Sequence, residues 1–131
     1  MCTRIVVAGA LISGSAVLVA QRQRPPELAG LWELPGGKVA AGETDAEALV
    51  RELREELGVE TEVLDRIGGD VAIGGGLTLR AYEVVQTGGS LQAHDHRALR
   101  WVGAGELDAL AWVPADRQWL GDLSARLTGT G

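Results

Sequence analysis

Three glutamates, Glu52, Glu55 and Glu56, stand three and four positions apart in a stretch that also holds Glu43, Arg51 and the pair Gly36-Gly37. On a helix of about 3.6 residues per turn, that spacing gathers the three carboxylates on one face. Like charges so close repel one another, and no helix gains stability from them alone. A hard divalent cation such as Mg²⁺ or Mn²⁺ prefers carboxylate oxygens and removes the conflict, which points to a metal site. The plainer alternative is a solvated helix face, with Arg51 pairing with Glu47 or Glu55 as i,i+4 neighbours.

The elements that must position these carboxylates lie on either side of them. Leu34-Pro35-Gly36-Gly37-Lys38 reads as a turn. Proline fixes φ there, and the glycines permit angles and close approaches that a side chain would forbid. Thr44 is the expected helix N-cap, Glu47 completes a capping box, and Gly58 supplies a left-handed cap after Leu57. Ala46, Val50, Leu53 and Leu57 share one side of this helix, with Leu49 at the margin, and form the stripe expected to face a core.

Residues 37–59 resemble the complete signature of the Nudix hydrolases: Gly37, Glu43, Arg51-Glu52-Leu53, Glu55-Glu56 and Gly58-Val59 fill every specified position. The resemblance spreads over nearly the whole chain. Ala20-Gln21-Arg22, the run from Gly30 through Lys38, Leu91-Gln92-Ala93-His94-Asp95-His96, Trp101 and Pro114-Ala115-Asp116 look like the MutT-type branch that cleaves nucleoside triphosphates. The resemblance implies an α/β fold, the Nudix α/β/α sandwich with a mixed central sheet, as a single domain over 1–131. Periodicity alone supports only a compact α+β domain.

The resemblance also implies a chemistry. Nucleoside triphosphate would be cleaved to monophosphate and pyrophosphate with Mg²⁺, for which Mn²⁺ can substitute. The metal is expected on Glu52 and Glu56, aided by Glu55 and by the Gly37 carbonyl. Glu52 is the leading general-base candidate. Glu43 would support water or a second ion, or brace the loop, and Arg51 would orient the glutamates and the glycine segment. Arg22, otherwise a surface arginine, is expected on a substrate phosphate, where a planar guanidinium suits the geometry. Lys38 would contact phosphate or balance charge, unless it is simply solvated. Asp95 is the acidic candidate for a further ligand or base. Zinc at His94 and His96 is disfavoured, because the two share a side only if that loop is regularly extended.

Asp116 falls at the family's base-contacting position. Read from the sequence alone it is a residue near a helix start; as a base reader, its carboxylate would accept a hydrogen bond from cytosine N4. Relatives that prefer oxidised guanine through an asparagine carry a different side chain there. CTP, dCTP or 5-methyl-dCTP is therefore the expected substrate, with 8-oxo-dGTP as the alternative and an ADP-ribose-type nucleoside diphosphate derivative third. Tyr82 is a candidate for base or ribose contact, with simple burial as the competing reading. Trp32 is read as packing, or as an aromatic beside the base.

Bulk properties exclude other classes. Twelve basic against eighteen acidic side chains leave a net charge of −6, which removes the basic surface a polynucleotide partner would need. A small phosphate-rich substrate remains compatible if cations supply local positive potential. Cys2 is the sole cysteine, so an internal disulfide or a multi-cysteine zinc site is excluded. The apolar run 5–12 is too short for a membrane span. A cytoplasmic monomer is expected, with a dimer possible through an exposed strand or apolar surface.

Along the chain, 5–12 and 16–20 read as paired strands, and 21–31, with Pro25-Pro26, as a loop. Further strands are expected over 60–67, 77–85 and 99–102, with a glycine turn at 74–76 where mobility or gating is expected. A helical turn at Glu106-Leu107 and a helix over 114–127, apolar at Trp119, Leu120, Leu123 and Leu127, complete the plan. The end, 128–131, is expected to fray.

Overall fold

Strand β1 (Arg4–Ser13) is the axis of the sheet, and its side chains divide the interior in two. Val7 and Leu11 point to one face, Ala8 and Ala10 to the other, as the two-residue period of a strand requires. The computed structural model describes residues 4–129; Cys2 and residues 130 and 131 lie outside the described residues.

β1 turns at Ser13 into β2 (Ala16–Gln21), with Ile12 opposite Val17 and Ser13 opposite Ala16. β2 also pairs with β3 (Trp32–Glu33) and, along its other edge, with β7 (Ala98–Gly103). β4 (Gly36–Lys38) lies antiparallel to β1. β6 (Leu77–Gly89) lies parallel to β1 and antiparallel to β5 (Val59–Ala72). The sheet order is β3-β2-β1-β6-β5, and the parallel pairing of β1 with β6 makes it mixed. Both faces are covered, giving an α/β/α sandwich.

Helix α1 (Asp45–Leu57) covers the first face, where Ala48, Leu49, Leu53 and Leu57 pack with Val7, Leu11, Leu18, Val59 and Val84. Its ends follow the expected chemistry. Thr44 accepts from the Glu47 amide, Glu47 returns a bond to the Thr44 amide at 2.9 Å, and Gly58 takes φ 73. The fully buried Leu49, Leu53 and Leu57 stabilise this docking by roughly 6 kcal/mol together. Like-charge pairs on a helix cost only about 0.2–0.5 kcal/mol each. Packing therefore dominates, and the carboxylates are held where the core puts them.

The other face is closed by a 3₁₀ turn at Ala104–Ala109, a second at Asp116–Trp119 and helix α2 (Leu120–Thr128). Trp119, Leu120, Leu123 and Leu127 all enter this core, as their spacing predicts. Among the described residues no helix is long and apolar enough to cross a membrane.

Four local features differ from the sequence reading. The buried side of α1 is rotated: Ala46 is exposed and Val50 half-buried, while Ala48 is fully buried. Small Ala48 lets the helix lie close to the sheet, and its row continues as Glu52 and Glu56. Those two carboxylates thereby sit at the edge of the core rather than out in solvent. The Gly36-Gly37 pair is not a turn but strand β4. A Cβ at Gly36 would stand 1.9 Å from the Val7 carbonyl oxygen, so glycine serves close approach there, and neither glycine has positive φ. The helix expected over 114–127 splits into a 3₁₀ turn followed by α2. Strands β5 and β6 run longer than expected, tolerating register shifts such as that between Ile67 and Val71, and their hairpin closes through Gly74, Gly75 and Gly76, all at positive φ.

Candidate active site

A cavity of about 660 Å³ opens between the C-terminal half of α1, strand β4, the loops 22–31 and 91–97, and the segment 113–116. Its wall carries Glu52, Glu55, Glu56, Glu33 and Asp95, three cations (Arg22, Arg24 and Lys38), and an apolar stretch with Val6, Ile73, Leu79 and Val113.

The α1 glutamates differ in depth. The Glu55 side chain is 60% exposed, Glu52 18% and Glu56 12%. One Glu56 oxygen, Oε2, is buried and meets no donor. Burial, then the neighbouring charges of Glu52, Glu33 and Asp95, push the Glu56 carboxyl up to about 9. Glu52 leans on Gly37 so closely that a Cβ there would lie 1.9 Å from its Oε2, and its Oε1 accepts from Arg51 at 2.8 Å. An orphaned, buried carboxylate oxygen amid like charges suits a hard divalent cation. Among the described residues no three His, Cys, Asp or Glu side chains converge as a ready-made cage.

Arg51 fixes this arrangement from behind. Its guanidinium donates to both oxygens of Glu43 at 2.7 and 2.9 Å, to Glu52, and to the Lys38 carbonyl at 3.2 Å. Glu43 in turn accepts from the Ala40 amide at 2.8 Å. The Arg51 hydrogen bonds hold Glu43 down to about 2, and Glu43 and then Glu52 raise Arg51 beyond its ordinary value. Neither residue lines the cavity. They tie α1 to β4 and the loop between.

Arg22 reaches the cavity but is engaged: its Nη1 donates to both carboxylate oxygens of Glu33 at 2.9 and 3.1 Å. Glu33 also meets His96 Nε2 at 2.9 Å. His96 is buried, its Nδ1 without a partner, and Nε2 stands 3.7 Å from Glu56. His94 turns elsewhere, with Nδ1 at 3.0 Å from the Glu55 carbonyl and Nε2 on Gln92. The two histidines thus serve different partners. Asp95 lines the cavity and pairs with Arg24, while exposed Lys38 lines it from β4.

Asp116 is 4% exposed and lines the same cavity. It is not a helix cap: its Oδ2 accepts from the Leu34 amide at 2.8 Å, across a sequence gap of 82 residues. Burial pushes its carboxyl up to about 7, against the lowering pull of the Leu34 hydrogen bond. Tyr82 does not join the cavity. It faces the α1 side of the sheet, and its hydroxyl donates to Asp45 at 2.6 Å. The structure therefore brings Gly37, Glu52, Glu55, Glu56, Arg22, Lys38, Asp95 and Asp116 to one cavity, places Arg51 and Glu43 behind it, and leaves Tyr82 outside.

Three participants escaped the sequence reading. Glu33 and Arg24 sit in stretches whose other residues suggest the chemistry, and the sequence offers His96 only a disfavoured place as a zinc ligand. Their pairing across long sequence gaps leaves no local signal.

Comparison with known proteins shows the family and the fold. The NUDIX domain model matches residues 3–123. The chain is 61% identical to the Mycobacterium tuberculosis protein named "Putative 8-oxo-dGTP diphosphatase 2", over 99% of this chain and 94% of that one. It is 42% identical to the Escherichia coli CTP pyrophosphohydrolase, over 85% and 84% respectively. Among solved structures, the E. coli ORF135 protein superposes with TM-score 0.82 at 36% identity, covering 96% of this chain and 92% of that one. A MutT Nudix hydrolase from Burkholderia pseudomallei superposes with TM-score 0.78 at 28% identity, covering 91% and 96%.

Proposed function

The chain belongs to the Nudix family of hydrolases, and from that premise we propose that it is a Mg²⁺-dependent pyrophosphohydrolase of nucleoside triphosphates, acting on CTP, dCTP or 5-methyl-dCTP. The observation that carries the base assignment is Asp116. One of its oxygens is occupied by the Leu34 amide, and among the described residues no donor meets the other. That free oxygen is an acceptor for the exocyclic amine of cytosine.

Glu52, Glu55, Glu56 and the Gly37 carbonyl would hold the cation, with Mn²⁺ able to substitute. When bound, the ion would neutralise phosphate oxygens and make water a better nucleophile. Glu52 would take the proton of the attacking water, its orientation set by Arg51 and by its seat against Gly37. Lys38 and Arg22 would draw phosphate oxygens, and the aligned attack would expel pyrophosphate and leave the monophosphate. Arg51 and Glu43 would act through geometry rather than by touching substrate. Tyr82 is left out of this scheme, because its hydroxyl is committed to Asp45.

A second reading, hydrolysis of 8-oxo-dGTP, is favoured by the name of the 61% identical relative. Guanine N1–H and N2–H can also donate to a carboxylate. A Mg²⁺-dependent panel with product identification separates the two, using CTP, dCTP, 5-methyl-dCTP, 8-oxo-dGTP, dGTP and ADP-ribose. The proposal expects monophosphate plus pyrophosphate and the highest kcat/KM for a cytidine nucleotide. A clear lead for 8-oxo-dGTP would move the assignment to the second reading, and a lead for ADP-ribose would overturn the triphosphate assignment.

A further inference from the structure

The loops 22–31 and 91–97 meet across the cavity mouth through one ion pair, Arg24 with Asp95, 71 positions apart. The Gln23 side-chain amide reinforces the junction, donating to the Asp95 carbonyl at 3.0 Å. The paired side chains are 65% and 51% exposed. Ion pairs in that setting are weakly held and exchange partners at little cost.

The other arginine of the same loop is bound differently. Arg22 is held by both oxygens of Glu33, whose side chain is only 14% exposed, and its Nε donates to the Arg24 carbonyl at 3.0 Å. Arg22 can meet phosphate through the N–H groups that Glu33 leaves free, without giving up a largely buried partner, whereas Arg24 can leave Asp95 at little cost because the carboxylate it frees is exposed. The loop that carries Asp95 is also fastened to α1. Gln92 donates to the Leu57 carbonyl at 2.9 Å, His94 to the Glu56 carbonyl at 3.0 Å, and the His94 ring lies 3.0 Å from the Glu55 carbonyl. Asp95 is thus mounted on the backbone of two of the glutamates that face the cavity.

We propose that Arg24 and Asp95 form a substrate-sensitive latch. A phosphate of the incoming polyphosphate takes Arg24, and the released Asp95 adds its carboxylate to the Glu52, Glu55 and Glu56 set. A phosphate offers the guanidinium more charge and more acceptor oxygens than one carboxylate, so the exchange favours substrate. Arg24 then has two partners in turn: it neutralises Asp95 until an anion arrives, and it binds the phosphate afterwards. The identity of that anion rests on the proposed function; the exchange itself needs only phosphate.

The test is Mn²⁺ binding to the full nucleotide-free chain by calorimetry, alongside steady-state kinetics. Arg24→Gln is expected to bind Mn²⁺ roughly three- to tenfold more tightly than the parent, because one carboxylate has lost its competing cation. Arg24→Lys keeps the pair and stays near the parent value. Adding Asp95→Asn to Arg24→Gln removes the gain, which separates a specific exchange from a general change in charge. In kinetics, Arg24→Gln raises KM for the triphosphate roughly tenfold and changes kcat far less. Unchanged Mn²⁺ affinity in Arg24→Gln, or a gain that survives in the double variant, overturns the latch. If the Mn²⁺ pattern holds but no nucleoside triphosphate is cleaved, the proposed function fails and the latch stands for another phosphate anion. Cleavage without the Mn²⁺ pattern leaves the function standing and removes the latch.

Discussion

Glu56 and Asp116 are two carboxyls set into the wall of one cavity, and burial raises the proton affinity of both. Their surroundings then part. Glu56 has a buried oxygen with no donor and faces the like charges of Glu52, Glu33 and Asp95. Asp116 has one oxygen satisfied by the Leu34 amide, and the like charge that acts on it is Glu33 rather than an α1 glutamate. The first arrangement is unfavourable until a cation arrives; the second is nearly complete and leaves one acceptor on offer. On the function proposed above, the same functional group grips phosphate through an ion at one site and reads a base edge at the other.

Neutralising the first carboxyl should have the largest effect. Glu56→Gln keeps the size and removes the negative charge that the carboxyl gains when a cation displaces its proton, and should lower kcat/KM by a factor on the order of 10³, as loss of a principal electrostatic group does. Mn²⁺ affinity, measured by calorimetry, should fall with it. Retained Mn²⁺ affinity in a folded Glu56→Gln protein would erase the contrast with Asp116.

The second carboxyl should affect choice more than rate. Asp116→Ala should cut the preference for cytidine over noncognate triphosphates roughly 10- to 100-fold, the range of one lost base-edge contact. Its Mn²⁺ affinity should stay at the parent value. Equal losses of kcat/KM for cognate and noncognate triphosphates would count against a base-reading role.

A third effect concerns stability rather than turnover or choice. Asp116 is raised from 3.8 to about 7 on folding, so the native state holds its proton longer than the unfolded chain does. Its contribution to stability is therefore fullest below about pH 4 and declines as pH rises toward 7. Asp116→Asn keeps an acceptor for the Leu34 amide and removes the ionisation. Near pH 8 it should be more stable than the parent, by up to roughly 4 kcal/mol, and the gain should shrink toward zero near pH 4. Chemical denaturation at the two pH values measures this, and a gain independent of pH would show that ionisation of Asp116 is not its source.

The sequence was most informative where the physics is local. Thr44, Glu47 and Gly58 set the ends of α1 through contacts within a turn of each residue, and each adopted its expected role. The α/β/α sandwich with a mixed sheet followed from the family resemblance, and the structure bears it out. Periodicity alone misplaced the buried side of α1, because Ala46 and Val50 are as apolar as Ala48 but only Ala48 meets the sheet. Gly36-Gly37 read as a turn because glycine marks both tight turns and close approaches, and only the Val7 carbonyl shows which operates. Among the cavity residues, the α1 glutamates were legible from their spacing. Arg22 with Glu33, Arg24 with Asp95 and Asp116 with Leu34 were not, since each joins segments that only the folded sheet brings together.

The proposed reaction requires the α1 carboxylates to share a cation with the phosphates of a substrate. A crystal grown with Mn²⁺ and a non-hydrolysable cytidine triphosphate analogue tests this directly, through the anomalous signal of the metal. The expected map has manganese between Glu52, Glu56 and phosphate oxygens, with the base toward Asp116. Manganese elsewhere, with the glutamates turned from both metal and phosphate, would contradict it.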